Sequence, residues 1–267
     1  MKDGLDAITF DFGNTLVAFP AAPMADVVLL TAEYASVSAG WSPNEFVRVW
    51  GEERLRQFAE EVPEGREADM DVRVRRVLAR LRGRTPPPPP AHWNDAELLA
   101  ASDPREVDGI LSAYADAFVR TTPVPPGVEQ MLERLAGSYK LGVISNWPLT
   151  LAVERFVDSA GWTRHLSAIV ISHRVGVIKP RPEIFLTAAA ELGVASGPGI
   201  LHVGDDLGAD VVGAQGVGWK TAWIRLRPED SGLPTAPPAP DARPDLTIDK
   251  VLDLESALGR TGDAAEK

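Results

Sequence analysis

The feature that most constrains this chain is a regular alternation of helical and β-prone segments over its second half. Apolar, β-branched runs at 140–144, 168–171, 200–203 and 220–224 are separated by segments with helical periodicity at 127–136, 149–159, 182–192 and 209–215. A short strand at 246–248 and a helix at 251–258 follow. Alternation with connections of this length predicts an α/β fold built on a parallel sheet with right-handed crossovers. One more apolar run, Ile8-Thr9-Phe10, lies near the N-terminus and stops at Asp11, where Gly13 and Asn14 supply the residues of a sharp turn. It reads as a buried strand that carries Asp11 to its C-terminal tip. Ligands of open parallel sheets bind beyond those tips.

Three later stretches also carry polar groups. Leu141-Gly142-Val143-Ile144 runs into Ser145 and Asn146, Gly176-Val177-Ile178 leads to Lys179 just before a helix start, and Ile200-Leu201-His202-Val203-Gly204 opens onto Asp205, Asp206 and Asp210. Each has a plain structural alternative. Asp11 could cap a turn, Ser145 and Asn146 could shape a turn after a strand, and Lys179 could be a surface lysine. Asp206 and Asp210 could reflect the preference of helix N-termini for carboxylates. Read as chemistry, Asp11 is a nucleophile able to accept a phosphoryl group. Ser145 and Asn146 are donors to a phosphoryl oxygen, and Lys179 is a cation placed where negative charge develops. Asp205 is a metal ligand, and hard oxygen donors in a chain without cysteine favour Mg²⁺.

The order nucleophile, hydroxyl with amide, lysine and acidic cluster resembles the haloacid dehalogenase-like (HAD) hydrolase superfamily. The resemblance covers the first strand and most of 123–225. It implies a Rossmann-like parallel-sheet core, 1–19 with 121–267, carrying an all-helical cap inserted at 20–120 that closes over the site and sets substrate choice. It also implies a Mg²⁺ site made by Asp11, the Gly13 carbonyl and Asp205, with Asp210 as a supporting partner and Asp206 either linked to the metal or a solvated cap. The implied reaction is hydrolysis of a small phosphorylated metabolite through an aspartyl-phosphate on Asp11. One position departs from the pattern. Most phosphatases of the family carry a second aspartate two residues after the nucleophile as general acid and base, and this chain has Gly13. The substrate could have a leaving group that needs little protonation, such as an acyl or anomeric sugar phosphate. Alternatively the chain is a 2-haloacid dehalogenase, or a binding or regulatory protein with weak turnover. The acidic cluster favours phosphate over C–halogen cleavage, and retention of Asp11, Lys179 and Asp205 together argues against a pure binding role.

The insertion reads as helical throughout. Apolar residues recur at helical spacing in 24–37, Ser42-Pro43-Asn44-Glu45 has the form of a capping box, 71–81 is Arg-rich and amphipathic, and Asp103-Pro104 opens a helix ending near Arg120. Pro86 to Pro90 reads as an extended spacer, with His92 and Trp93 after it as residues that could face the site. Trp147 could wall the pocket, and His202 reads as a satisfied core histidine. The segment 228–244 is a proline-rich loop with little core material, and 259–267 reads as a frayed tail. A formal net charge of -11 argues against a nucleic-acid partner, since phosphate backbones demand positive surface. No run resembles a signal peptide or a membrane span, so a cytoplasmic location is the simplest expectation. The sequence leaves the oligomeric state open.

Overall fold

A computed structural model describes residues 4–237 and 239–263. Six strands, β1 (Ala7–Phe10), β2 (Lys140–Ser145), β3 (Ala168–Ile171), β4 (Ile200–Gly204), β5 (Lys220–Ile224) and β6 (Leu246–Ile248), form one sheet in the order β3-β2-β1-β4-β5-β6. Every pairing is parallel. Strand order reverses at β1. From there the chain builds β2 and β3 on one side, then returns to place β4 on the other, so the crevice beyond β1 and β4 is the topological switch point where ligands bind. β1 is buried on both faces, and its near-continuous apolar composition follows from that position.

Among the described residues, the insertion after β1 carries five α-helices: α1 (Ala21–Ala39), α2 (Pro43–Glu61), α3 (Met70–Leu81), α4 (Asp95–Ala101) and α5 (Pro104–Thr121). Asp103 caps α5 as expected, its side chain accepting from Arg105 N at 2.9 Å. Ser42 stands at the N-cap of α2 with Pro43 in the first turn, but its side chain makes no capping bond. Pro43 brings the fixed φ of a first helical residue and has no N–H of its own, so the helix starts there without the side-chain cap. The spacer at 86–90 is extended only in part, because it ends in a turn with a cis Pro89-Pro90 bond. α4 follows it after a few residues, where the segment 94–101 is too short to give a clear periodic signal, and Asn94 caps it by accepting from Glu97 N.

The rest of the chain supplies α6 (Val128–Ala136), α7 (Thr150–Ser159), α8 (Ser172–Val175), α9 (Pro182–Leu192), α10 (Gly213–Gly216) and α11 (Leu254–Asp263). Two differences from the periodicity matter. The segment after β4 begins as a π-helical stretch, Leu207–Val212, and becomes α-helical only at Gly213. α11 continues to Asp263, past the start of the expected frayed tail, whose residues 264–267 lie outside the described residues. No helix among the described residues is long and apolar enough to cross a membrane.

The insertion meets the sheet domain through backbone pairing and through rings. Ile178 N donates to Gly65 O (3.0 Å), Met70 N donates to Pro148 O (3.0 Å), and Arg66 bridges Val177 in antiparallel fashion. Phe12 and Phe19 from the first turn, Phe118 from α5, Trp147 after β2 and Phe156 from α7 form one aromatic cluster, with centroids 5.0–6.4 Å apart. Such rings bury large apolar area, so α5 is joined to the residues flanking Asp11 by hydrocarbon packing.

Candidate active site

Asp11 follows β1 directly, and its N–H donates to Val203 O at 2.8 Å, extending the ladder by one residue. The backbone then turns through Asn14, which has φ +57°, a left-handed conformation that asparagine tolerates. Asn14 N donates to Val17 O (2.6 Å), while its side-chain oxygen accepts from Phe19 N (3.2 Å). The residues read from the sequence as turn-formers therefore hold Asp11 at the strand tip.

Lys179 is almost wholly buried, and its ammonium is fully committed. Nζ donates to Asp11 Oδ1 at 2.6 Å, to Asp210 Oδ1 at 2.6 Å and to the Ile144 carbonyl at 2.9 Å. Three donors meet three acceptors, from the ends of β1 and β2 and from the helical stretch after β4. Burial alone would favour the neutral amine, but the two carboxylates outweigh it and push the Lys179 pKa above its ordinary value.

Both oxygens of Asp210 are also engaged. Besides Lys179, it faces His202 Nε2 at 3.2 Å and accepts from Asp206 N at 2.9 Å. Burial favours its protonated form, but Lys179 and His202 outweigh that and hold its pKa below the carboxylate range. His202 is buried inside β4, and burial lowers its pKa, leaving a neutral ring. Its Nε2 then carries the proton toward Asp210, and Nδ1 accepts from Thr9 Oγ1 at 2.9 Å. His202 is thus a satisfied core histidine that also orients Asp210. Gly204 has no substitute here, because a Cβ at that position would overlap the Asp210 carboxylate.

Asp205 differs from its neighbours. It accepts a 3.4 Å hydrogen bond from Thr15 Oγ1, and Arg227 Nη1 stands 3.1 Å from its Oδ2. That guanidinium is close enough for an ion pair yet off the hydrogen-bond line, so Oδ2 is buried with no hydrogen-bond partner. Burial first, then the charges of Asp11 and Asp210, raise the Asp205 pKa to about 8. Asp11 is raised to about 6, by burial foremost, with Lys179 opposing. Oxygens of Asp11, Asp205 and Asp210 lie within 4.8 Å of one another. With Asp210 committed elsewhere, Asp11 and the orphaned Asp205 oxygen are the groups that a hard cation would satisfy, so the donor set fits Mg²⁺.

The other sequence candidates fall as follows. Ser145 ends β2, buried, one residue beyond the carbonyl that receives Lys179. Asn146 clamps the Lys179 backbone, its Oδ1 accepting from Lys179 N (2.7 Å) and its Nδ2 donating to Lys179 O (3.2 Å), which leaves one amide proton for a ligand. Asp206 is a helix cap, accepting from Gly208 N and Ala209 N at 2.9 Å and from Ala236 N at 2.7 Å. Both its oxygens are in use. His92 and Trp93 make their contacts to α2, at Glu60 and Glu53. Thr15, Arg227 and Leu233 were not singled out by sequence. A Cβ on Gly13 would overlap Leu233 Cδ1, so the proline-rich loop abuts the turn after Asp11.

The family model described as "Hydrolase: haloacid dehalogenase-like hydrolase" matches residues 5–218. The chain belongs to this hydrolase family. Among curated proteins it is 28% identical to a glyceraldehyde 3-phosphate phosphatase of Methanopyrus kandleri, across 94% of this chain and 95% of that protein. It is 35% identical to a phosphoserine phosphatase of Thermus thermophilus, across 50% of this chain and 52% of that one. Among solved structures, a 2-haloacid dehalogenase from Pseudomonas syringae pv. Tomato superposes with a TM-score of 0.65 at 23% identity, covering 96% of this chain and 99% of that one. The HAD phosphatase from Thermococcus onnurineus superposes with 0.56 at 22%, covering 96% and 98%. At these identities the structures establish the HAD fold, a Rossmann-like core with its helical insertion, for this hydrolase.

Proposed function

We propose that this hydrolase is a Mg²⁺-dependent phosphatase of small phosphorylated metabolites, with Asp11 as the group that accepts the phosphoryl unit. The observation that carries the reading is Lys179 held between Asp11 and Asp210 beside the under-coordinated Asp205, all at the switch point of the sheet. Lys179 keeps the Asp11 carboxylate oriented and balances its charge, so Asp11 stays ionised and nucleophilic near neutral pH despite burial. Asp210 and His202 position Lys179, and Ser145 with the free amide proton of Asn146 donates to the phosphoryl oxygens. Asp11, the Gly13 carbonyl and Asp205 would hold the cation, which supplies charge neutralisation to the phosphoryl group when bound. Asp11 then attacks phosphorus, the leaving oxygen departs, and water hydrolyses the acyl phosphate to regenerate the carboxylate. The helices of 20–120 serve as a cap over this crevice, and the curated relatives named for glyceraldehyde 3-phosphate and phosphoserine support a small phosphorylated substrate.

A dehalogenase reading has one observation in its favour: Gly13, packed against hydrocarbon, offers no acid for a leaving oxygen. The buried oxygen-only cluster around Asp205 favours phosphate. The test is release of inorganic phosphate from acyl, anomeric and primary-alcohol phosphates, with and without Mg²⁺, alongside halide release from a 2-haloacid. Metal-dependent phosphate release that Asp11→Asn abolishes is the expected result. Halide release without metal, or phosphate release that survives Asp11→Asn, overturns the proposal.

A further inference from the structure

The loop joining β5 to β6 reaches the turn after Asp11 at several points. Asn14 Nδ2 donates to Ser231 Oγ (2.9 Å), Gly232 N donates to Phe19 O (3.0 Å), and Pro20 bridges Ser231 in antiparallel fashion. Leu233 is fixed on both sides of its backbone. Its N–H donates to Ser231 Oγ at 3.2 Å, and its carbonyl accepts from Arg227 Nη2 at 2.7 Å, while Nη1 of the same guanidinium faces Asp205. The side chain is aimed at Gly13. A Cβ on Gly13 would overlap Leu233 Cδ1 and would have Phe19 Cδ2 at 3.6 Å. The space that a side chain at position 13 would enter is therefore already filled with hydrocarbon.

We propose that Leu233 determines the leaving-group class of this hydrolase, filling the place of a proton donor beside Asp11 and restricting turnover to phosphates whose leaving oxygen departs as a stable anion. Acyl phosphates are the fitting class. The inference rests on the reading of Asp11 as phosphoryl acceptor. An Asp11 oxygen forms a bond to phosphorus while the P–O bond to the substrate breaks, and the bonding pair leaves with the substrate oxygen as a carboxylate that needs no proton. Water oxygen then bonds to phosphorus, the bond to Asp11 breaks, and one water proton passes to the phosphate or solvent, giving inorganic phosphate and the free carboxylate. With an alkyl phosphate the same first step would expel an alkoxide into an apolar wall. General acid help of the missing kind is worth about 10² to 10⁴ in rate.

The experiment compares kcat/KM for acetyl phosphate, a series of aryl phosphates of graded phenol pKa, and an alkyl phosphate, all with Mg²⁺. The wild-type rate is expected to fall steeply as the leaving group becomes more basic. Gly13→Asp alone is expected to gain less than the same change combined with Leu233→Ala, because Leu233 must swing aside to admit the new side chain. Gly13→Asp combined with Leu233→Ala is expected to gain about 10² or more on the alkyl phosphate and to flatten the dependence. Equal wild-type rates on alkyl and acyl phosphates, or the same gain from Gly13→Asp alone, overturn the proposal. If the double variant does not fold, Leu233→Ala alone decides: formic acid entering the vacated space should accelerate alkyl-phosphate hydrolysis in the variant and leave the wild type unchanged. No response to formic acid refutes the role of Leu233. Absence of phosphate release from every substrate, with Asp11→Asn indistinguishable from wild type, would instead strike the underlying reading.

Discussion

Replacing Lys179 with methionine tests the charge balance at the site most directly. The amine is 3% exposed and makes all three of its hydrogen bonds to Asp11, Asp210 and the Ile144 carbonyl. Methionine fills much of the same volume, so the packing change is small and the loss is electrostatic. Removing one partner of a buried ion pair leaves an uncompensated charge and typically costs about 3–5 kcal/mol. In a chain of this size each kcal/mol moves the melting temperature by about 2–4 °C, which gives a drop of about 6–20 °C at pH 8. The pH dependence gives the sign. Asp11 is already raised to about 6 by burial. Losing Lys179 raises it further, so the penalty is present above that folded-state pKa and is relieved as pH falls through it. The gap between variant and wild type should therefore narrow from pH 8 to pH 5, read by circular dichroism melting across that range. A variant melting within about 2 °C of wild type at pH 8, or a gap indifferent to pH, would refute the assignment of Lys179 as the counter-charge.

Gly204→Ala is expected to displace Asp210 and with it Lys179, lowering both melting temperature and phosphate release; full activity in the variant would show that Asp210 is not held against the strand. Arg76 is buried between Glu60 (2.6 Å) and Asp95 (2.9 Å), so Arg76→Ala should destabilise by about 3–5 kcal/mol in denaturant unfolding, and a change under 1 kcal/mol would contradict the pair. His173 faces Asp69 at 3.6 Å, and that carboxylate raises the imidazole pKa. Its contribution is present below the ordinary histidine pKa and is lost as pH rises through the folded value. His173→Gln should accordingly flatten the stability profile above pH 6.5 by less than about 1 kcal/mol, since the pair is partly solvated.

Local pattern made much of this molecule legible. Asp11 and Asp205 each follow an apolar run whose length and β-branched content mark a strand, and the sheet brings those two tips together, while Lys179 reaches them from the turn that precedes α9. His202 could be read as a core residue because its neighbours on β4 are apolar, although its link to Asp210 could not. What stayed hidden were contacts with no local signature. Asn14 and Ser231 are 217 positions apart, and Arg227 borders, and Leu233 sits in, a proline-rich loop whose composition suggests solvent. Proline excludes such a segment from the sheet without saying where it lies. Asp206 was equally ambiguous, since a metal partner and a helix cap both favour a carboxylate just before a helix, and only its three backbone donors distinguish them. The π-helical stretch at Leu207–Val212 likewise leaves no mark on a 3.6-residue period.

Burial and charge pull in opposite directions at this site, and the loop accounts for part of the compromise. Asp205 at about 8 is a carboxylate that resists ionisation, chiefly because burial leaves it poorly solvated. A cation between Asp11 and Asp205 would reverse that preference, because opposite charge at close range favours the ionised acid. Arg227 supplies a weaker version of the same compensation from the side, close to Asp205 Oδ2 but outside hydrogen-bond geometry. Because the same guanidinium also holds the Leu233 carbonyl, the residue that partly balances Asp205 and the residue that fills the space at Gly13 move together. Arg227→Ala should therefore loosen the wall over Gly13 as well as the balance at Asp205, whereas a loop held independently of Asp205 would leave that wall unchanged.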